Sequence, residues 1–280
     1  MLLFLNLFIF LKHKTIKKIK VCLCVIGKKE NLYVNEFVEH YKTIGYNKIF
    51  IYDNNGINGE KFEDVIQKEI DEGFVSIINY RGYKASQLKS YKDCYKNNNL
   101  FYDWLSFFDM DEFLELRPFN MKIQKFLGSN IFKKCANIKI NWIYYTNFKG
   151  LYYESKPLAK RLLKSQSSRC IKSTVRGNLP INYWSRVRNP HTSLNNFISC
   201  SSSGKIINSL SPYNVPPDIK YAYLKHFHYK SFEEFCIKIK RGYADSLNKK
   251  LVNKIKKFFN ENKKNNTKLK IMKKIFNISL

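Results

Sequence analysis

Residues 21–56 read VCLCVIGKKENLYVNEFVEHYKTIGYNKIFIYDNNG, and this stretch decides the fold. It opens with an apolar run over 21–26, whose length is typical of a buried parallel strand. Apolar residues then recur at helical spacing, at Val34, Phe37, Val38 and Tyr41. A second strand is predicted over 48–52, and it ends in the turn-forming cluster 53–56. This order predicts two parallel strands connected by a helix.

The same alternation continues along the chain. Helices are predicted over 60–72 and 86–97, and strands over 74–79 and 104–108. Strands that alternate with helices indicate the α/β class, with a mostly parallel central sheet flanked by helices. In such sheets ligands bind beyond the carboxyl ends of the strands.

Acidic residues follow two of the predicted strands at that edge. Asp53 comes directly after the strand 48–52, and Asp109 and Asp111 follow the strand 104–108. Two carboxylates separated by one residue can reach a single hard divalent cation from a strand tip. The sequence therefore predicts a Mg²⁺ or Mn²⁺ site near Asp109 and Asp111.

The composition describes a folded but strongly basic protein. The chain has 280 residues, a formal net charge of +28, and 44% hydrophobic residues, too many for a disordered chain. Only eight of its 50 basic residues are arginine, whereas readers of nucleic-acid bases favour arginine. The seven cysteines are scattered without a Cys-x-x-Cys pair, so we expect buried, reduced thiols in a cytoplasmic protein rather than disulfides or a zinc site.

Lysines concentrate at the two ends of the chain. Residues 1–20 form an apolar and basic leader whose apolar part is too short to cross a bilayer, and which is either an interfacial anchor or a frayed end. Residues 248–280 hold eleven lysines and one glutamate, with apolar residues at helical spacing. That pattern indicates a basic amphipathic helix, which lies on an anionic membrane surface or packs on its own domain.

Three segments resemble a known family. They are residues 21–56, the sequence YDWLSFFDMDEFLEL at 102–116, and HFHYKSFEEFCIKIKRG at 226–242. In order and spacing they resemble GT-A glycosyltransferases related to families 2 and 92, of the nucleotide-diphospho-sugar transferase superfamily. The resemblance implies a Rossmann-like GT-A domain over 21–247, with a nucleotide-binding half (21–116), an acceptor-binding half (117–247) and the tail 248–280 beyond it.

The resemblance also implies roles for individual residues. Asp109, Asp111 and His228 would bind Mn²⁺ or Mg²⁺, and His226 would share the strand face of His228. The implied contacts to the nucleotide-sugar or the acceptor are Glu30, Asp53, Lys172, Arg176, His191, Lys230 and Arg241.

The implied reaction moves a hexose from a nucleotide-sugar, expected to be a UDP-sugar, to a glycan or lipid-linked acceptor with inversion. Inversion needs a base, usually a carboxylate. Among the few acids after Arg117, Glu154 is the first candidate and Asp218 the second. The basic ends would hold the enzyme on the cytoplasmic face of the membrane. Two alternatives stay open: a basic nucleic-acid-binding protein, and a catalytically inactive relative.

Overall fold

One mixed sheet organises the computed structural model, which describes residues 18–84, 86–146, 150–180, 197–207, 211–214, 216–241, 257, 260–262 and 264–277. The strands are β1 (Val21–Gly27), β2 (Lys48–Asp53), β3 (Val75–Asn79), β4 (Trp104–Phe107), β5 (Glu112–Leu116), β6 (Asn137–Thr146), β7 (Leu163–Arg176), β8 (Ser199–Ser201), β9 (Ile206–Ile207) and β10 (Ala222–Tyr229). The helices are α1 (Asn31–Thr43), α2 (Glu63–Asp71), α3 (Gln87–Asn98), α4 (Ile123–Leu127), α5 (Leu158–Arg161), α6 (Phe232–Arg241) and α7 (Asn266–Phe276), with a 3₁₀ turn at Asn130–Phe132.

The strand order across the sheet is β3-β2-β1-β4-β7-β6-β10-β5, and β8 and β9 extend it beside β6. Strands β1 to β4 run parallel. Because β7 is antiparallel to both β4 and β6, the strands β6 and β10 point the same way as β1 to β4. The carboxyl ends of six strands therefore meet at one edge, and the predicted α/β class with a mostly parallel sheet is confirmed.

Helix α1 packs on the sheet with the face that the sequence predicts. Its buried residues are Tyr33, Val34, Phe37, Val38 and Tyr41. All five belong to one hydrophobic cluster with the core of β1, β2 and β4. The chain leaves the helix through Gly45, whose φ of +97° is a backbone conformation that glycine adopts without strain. This packing fixes the loop between β1 and α1 at the carboxyl edge of the sheet.

The expectation of reduced thiols is wrong for four cysteines. Cys24 of β1 is disulfide-bonded to Cys94 of α3, and Cys135 is bonded to Cys200 of β8. The partners lie 70 and 65 residues apart and meet only because α3 covers β1 and β8 pairs with β6. Local spacing therefore contained no signal of the pairing. The remaining cysteines, at positions 22, 170 and 236, are free.

The described part of the basic tail packs on the domain. Ile271 and Met272 of α7 are buried against Phe232 and Cys236 of α6. The buried apolar residues of α7 thus contact α6, as the second of the two alternatives for this helix predicts, and binding to a membrane surface stays a prediction. Residues 1–17, 242–256 and 258–259 lie outside the described residues. Among the residues that the structure describes, no helix combines the length and apolar character needed to span a membrane.

Candidate functional site

Three potential metal ligands converge at the carboxyl edge of the sheet. Asp111 follows β4, and His226 and His228 lie near the end of β10. One ligand atom from each lies within 4.8 Å of the others. The pairing of β10 with β5 produces this group, because it sets His226 opposite Glu112, the neighbour of Asp111. The two-residue spacing on a strand then places His228 on the same face.

The local electrostatics favour the metal-binding forms of His228 and Asp111. Burial lowers the pKa of His228 to about 3, with Lys238 and His226 adding to the effect, so its imidazole is neutral. Burial opposes the charged form of Asp111, but Lys238 and His226 hold the pKa of this carboxyl well below its usual range. His226 Nε2 lies 3.6 Å from Asp111 Oδ1, and its buried Nδ1 lacks a hydrogen-bond partner among the described residues. Imidazole nitrogens beside a carboxylate are ligands that fit a divalent metal ion.

Asp109 lies outside this group of three. The ammonium of Lys172 is 2.8 Å from Asp109 Oδ1, and Gln87 and Tyr91 also donate hydrogen bonds to that oxygen. Lys172 is wholly buried and lies 3.9 Å from Glu112 as well. The two acids of the Asp-x-Asp pair thus have different surroundings: Asp111 faces the histidines, and Asp109 faces the lysine of β7.

Cations lie on the α6 side of the triad formed by Asp111, His226 and His228. Arg241 contacts Glu30 Oε1 at 2.6 Å, and Lys230 lies 3.5 Å from Glu30 Oε2. Lys238 lies 2.5 Å from Asp111. One cavity is lined by Glu30, Lys230, Lys238, Arg241 and His228. The structure therefore brings together Glu30, Lys230, Arg241 and His228, all of which the sequence placed in the site.

Asp53 lies at the same edge, at the end of β2. Its Oδ1 accepts a hydrogen bond from the backbone N–H of Asn55, and its Oδ2 forms an ion pair of 2.6 Å with Arg81. Both oxygens are thus already used to shape the turn after β2. A ligand that contacts this carboxylate has to take the place of Arg81.

Arg176 is at the wrong end of the sheet for the predicted ligand contact. It pairs with Trp104, the first residue of β4, whereas the site lies beyond the last. Its guanidinium donates hydrogen bonds to the carbonyl oxygens of Phe132 and Cys135 and lies 4.3 Å from the centroid of the Trp104 ring. In the structure Arg176 therefore lies apart from the Asp111, His226 and His228 group and makes packing contacts.

The two candidate bases are not among the residues that line the cavity of His228. Asp218 accepts hydrogen bonds from Ser201, Ser202 and Ser203 and lines a different cavity. Glu154, nearly half exposed, forms an ion pair of 3.1 Å with Lys156. Neither residue lines the cavity that holds His228. His191 lies outside the described residues.

The structure adds two residues, His226 and Lys238, to the candidate site. The sequence resemblance assigns metal binding to His228 and not to His226, although the His-x-His spacing on a strand is a usable signal for both. Lys238 received no role, and nothing local marks it: it is one lysine of a basic helix. Only the packing of α6 against β10 brings its ammonium to Asp111.

Comparison with known proteins identifies a family model that matches most of the chain and relatives that match about two fifths of it. The model of the family described as Glycosyltransferase family 92 matches residues 17–275. A glycosyltransferase family 92 protein of Ricinus communis is 27% identical over 105 residues, which cover 38% of this chain and 18% of the relative. One of Oryza sativa subsp. japonica is 28% identical over 117 residues, covering 41% and 19%. The aligned stretch thus spans about a fifth of these curated relatives.

Solved structures with a related arrangement include S. aureus TarS, at a TM-score of 0.39 and 9% identity, covering 87% of this chain and 43% of that one. A TarS fragment in complex with UDP has a TM-score of 0.36 and 8% identity, covering 60% and 52%.

Proposed function

This chain belongs to glycosyltransferase family 92, and we propose that it is a metal-dependent glycosyltransferase with a GT-A fold. It would transfer a hexose from a nucleotide-sugar, with UDP as the favoured nucleotide, to a glycan or lipid-linked acceptor. The observation that carries the proposal is the group Asp111, His226 and His228 beside three cations at the carboxyl edge of a parallel sheet. A diphosphate is the kind of ligand that requires both features together.

Asp111, His226 and His228 would hold the ion. Because two of the three ligands are imidazoles, the set suits Mn²⁺ better than Mg²⁺, which prefers oxygen ligands. When bound, such an ion acts as a Lewis acid that stabilises negative charge on the departing diphosphate. Lys230 and Arg241 add charge-assisted hydrogen bonds to the phosphate oxygens, and Glu30 holds both side chains in place before the ligand arrives.

Inversion at the anomeric carbon is part of the proposal, and it requires a base for the acceptor hydroxyl. Glu154 is the better of the two candidates, because its carboxylate is nearly half exposed and forms an ion pair with Lys156. Asp218 is less suitable, since three serine hydroxyls donate to its carboxylate. The loop that holds Glu154 would have to approach the triad when an acceptor binds.

Binding to an anionic membrane surface is proposed from charge alone, since the apolar face of α7 is covered. The lysines of residues 248–280 would supply the attraction. A location on the cytoplasmic face requires that Cys24, Cys94, Cys135 and Cys200 be reduced in the cell, because disulfides are rare in that compartment. Alkylation of thiols at the moment of lysis, followed by peptide mapping, tests the location: alkylated cysteines support it, and disulfide-linked peptides contradict it.

Thermal unfolding with UDP, GDP, CDP or ADP, each with and without Mn²⁺, tests the proposed function. A ligand at 100 times its dissociation constant stabilises the native state by about 2.7 kcal/mol, a readily measured shift. We expect a shift with UDP that requires Mn²⁺. A metal-dependent shift with another nucleotide would indicate that the donor carries that nucleotide instead of UDP. The absence of any shift would contradict the proposal and favour an inactive relative.

A further inference from the structure

Lys238 occupies the position from which a metal ion would contact the triad. Its Nζ lies 2.5 Å from Asp111 Oδ2 and 3.3 Å from His228 Nδ1. A divalent ion bound by the carboxylate and the two imidazoles would stand within about 2.0–2.2 Å of its ligand atoms. The ammonium, at 2.5 Å and 3.3 Å from two of the three residues, leaves no room for an ion beside the same oxygen, so the ion and the ammonium compete for the carboxylate of Asp111.

The neighbouring acids cannot receive the displaced ammonium. Two further buried carboxylates line the cavity: Glu30 already pairs with Arg241 and Lys230, and Glu234 already pairs with Arg161 at 2.7 Å. Asp109 pairs with Lys172. A Lys238 side chain that leaves Asp111 therefore has no other carboxylate among these partners, and it adds a free positive charge beside the ion.

We propose that Lys238 is a displaceable internal cation that couples binding of the metal to binding of the nucleotide diphosphate. The inference rests on the proposed function. In the free protein Lys238 neutralises Asp111 and weakens metal binding. When a diphosphate enters, its oxygens accept hydrogen bonds from the Lys238 ammonium. The carboxylate of Asp111 then becomes available to the ion, which binds. The flexible four-carbon stem of lysine permits this exchange without a movement of α6.

The charge count of the cavity supports the coupling. Around Asp111 and Glu30, three cations (Lys230, Lys238 and Arg241) face the two carboxylates, which leaves a net charge of +1 on these five groups. A divalent ion alone would raise this to +3 in a largely buried site. A nucleoside diphosphate brings compensating negative charge, so the ion and the nucleotide should favour each other's binding, and linkage makes the effect reciprocal.

The test measures free Mn²⁺ by electron paramagnetic resonance in titrations of the full chain with and without saturating UDP. Lys238→Met removes the charge and keeps the length of the side chain. The matched control is Lys240→Met, which makes the same change on the same helix at an exposed position whose ammonium contacts the carbonyl oxygen of Ile275. Lys238→Gln serves as a second variant if the methionine variant fails to fold.

For the wild type and Lys240→Met, we expect UDP to tighten Mn²⁺ binding about tenfold or more. For Lys238→Met, Mn²⁺ alone should bind about tenfold more tightly than to the wild type, and the effect of UDP should fall below about threefold. Equal Mn²⁺ affinities and equal UDP effects in Lys238→Met and the wild type would overturn the inference while leaving the proposed function intact. A wild type that binds no Mn²⁺ even with UDP would overturn both.

Discussion

His226 Nε2 lies 3.6 Å from Asp111 Oδ1, although the two residues are on elements far apart in the chain. The contact arises from the antiparallel pairing of β10 with β5, in which His226 is opposite Glu112. It matters because Asp111 is the acid of the Asp-x-Asp pair that lies in the triad, whereas Asp109 is held by Lys172. Under the proposed function, Asp111 is the metal ligand of this motif, whereas the carboxylate of Asp109 pairs with Lys172.

Arg241→Met should lower both stability and nucleotide affinity. The substitution leaves Glu30 buried with only Lys230 at 3.5 Å, and breaking a buried ion pair in this way costs about 3 kcal/mol of unfolding free energy. Urea unfolding measures the loss, and the thermal shift with UDP and Mn²⁺ should shrink at the same time. The double variant Glu30→Gln with Arg241→Met separates the two effects, because it should regain stability and still respond weakly to UDP. A full UDP response in the single variant would exclude Arg241 from the binding site.

Arg176→Met should affect stability alone. The side chain loses two hydrogen bonds to backbone carbonyl oxygens and its contact with the Trp104 ring, so the free energy of unfolding should fall by about 1–3 kcal/mol. Arg176 lies at the opposite end of β4 from the triad. The increase in melting temperature caused by UDP with Mn²⁺, measured for each protein from its own ligand-free value, should therefore equal that of the wild type. A selective loss of UDP binding would restore the role that the sequence resemblance gave to this residue.

His40 should make the protein less stable in acid. Burial lowers its pKa to about 4, and its ring hydrogen bonds to the carbonyl oxygen of Leu114. Since the unfolded state binds a proton near pH 6.5 and the folded state does not until about pH 4, stability is complete above pH 6.5 and falls as the pH drops through this window. The loss attributable to His40 should reach about 3 kcal/mol at most.

The control for that prediction is His40→Gln, whose amide can still donate to Leu114 but does not titrate. Urea unfolding of both proteins between pH 8 and pH 4 should show the wild type losing more stability than the variant as the pH falls. Parallel curves across the whole range would show that His40 does not contribute.

The sequence predicted those features that depend on local pattern. The apolar face of α1 and the placement of Asp53 and Asp109 after strands follow from periodicity and turn residues, and both hold in the structure. Features that depend on long-range pairing could not be predicted. The distance of Arg176 from the site reflects the register of β7 against β4, and the approach of Lys238 to Asp111 reflects how α6 packs.

The tail shows the same limit. Periodicity identified an amphipathic helix, and α7 is one, but amphipathicity does not say what covers the apolar face. In the structure α6 covers the apolar face of α7, where Ile271 and Met272 pack in one cluster with Phe232. The disulfides also could not be predicted, because each joins two elements that lie far apart in the sequence.

The most direct test of the central claim is isothermal titration calorimetry of Mn²⁺ in the presence of UDP, with the wild type, Asp111→Asn and His226→Ala. Arg176→Met is the control, since it changes a buried side chain away from the site. We predict one Mn²⁺ site in the wild type and the control, with affinity lower by more than about tenfold in the two triad variants. Wild-type affinity in both triad variants would contradict the account, because the ion would then be bound elsewhere.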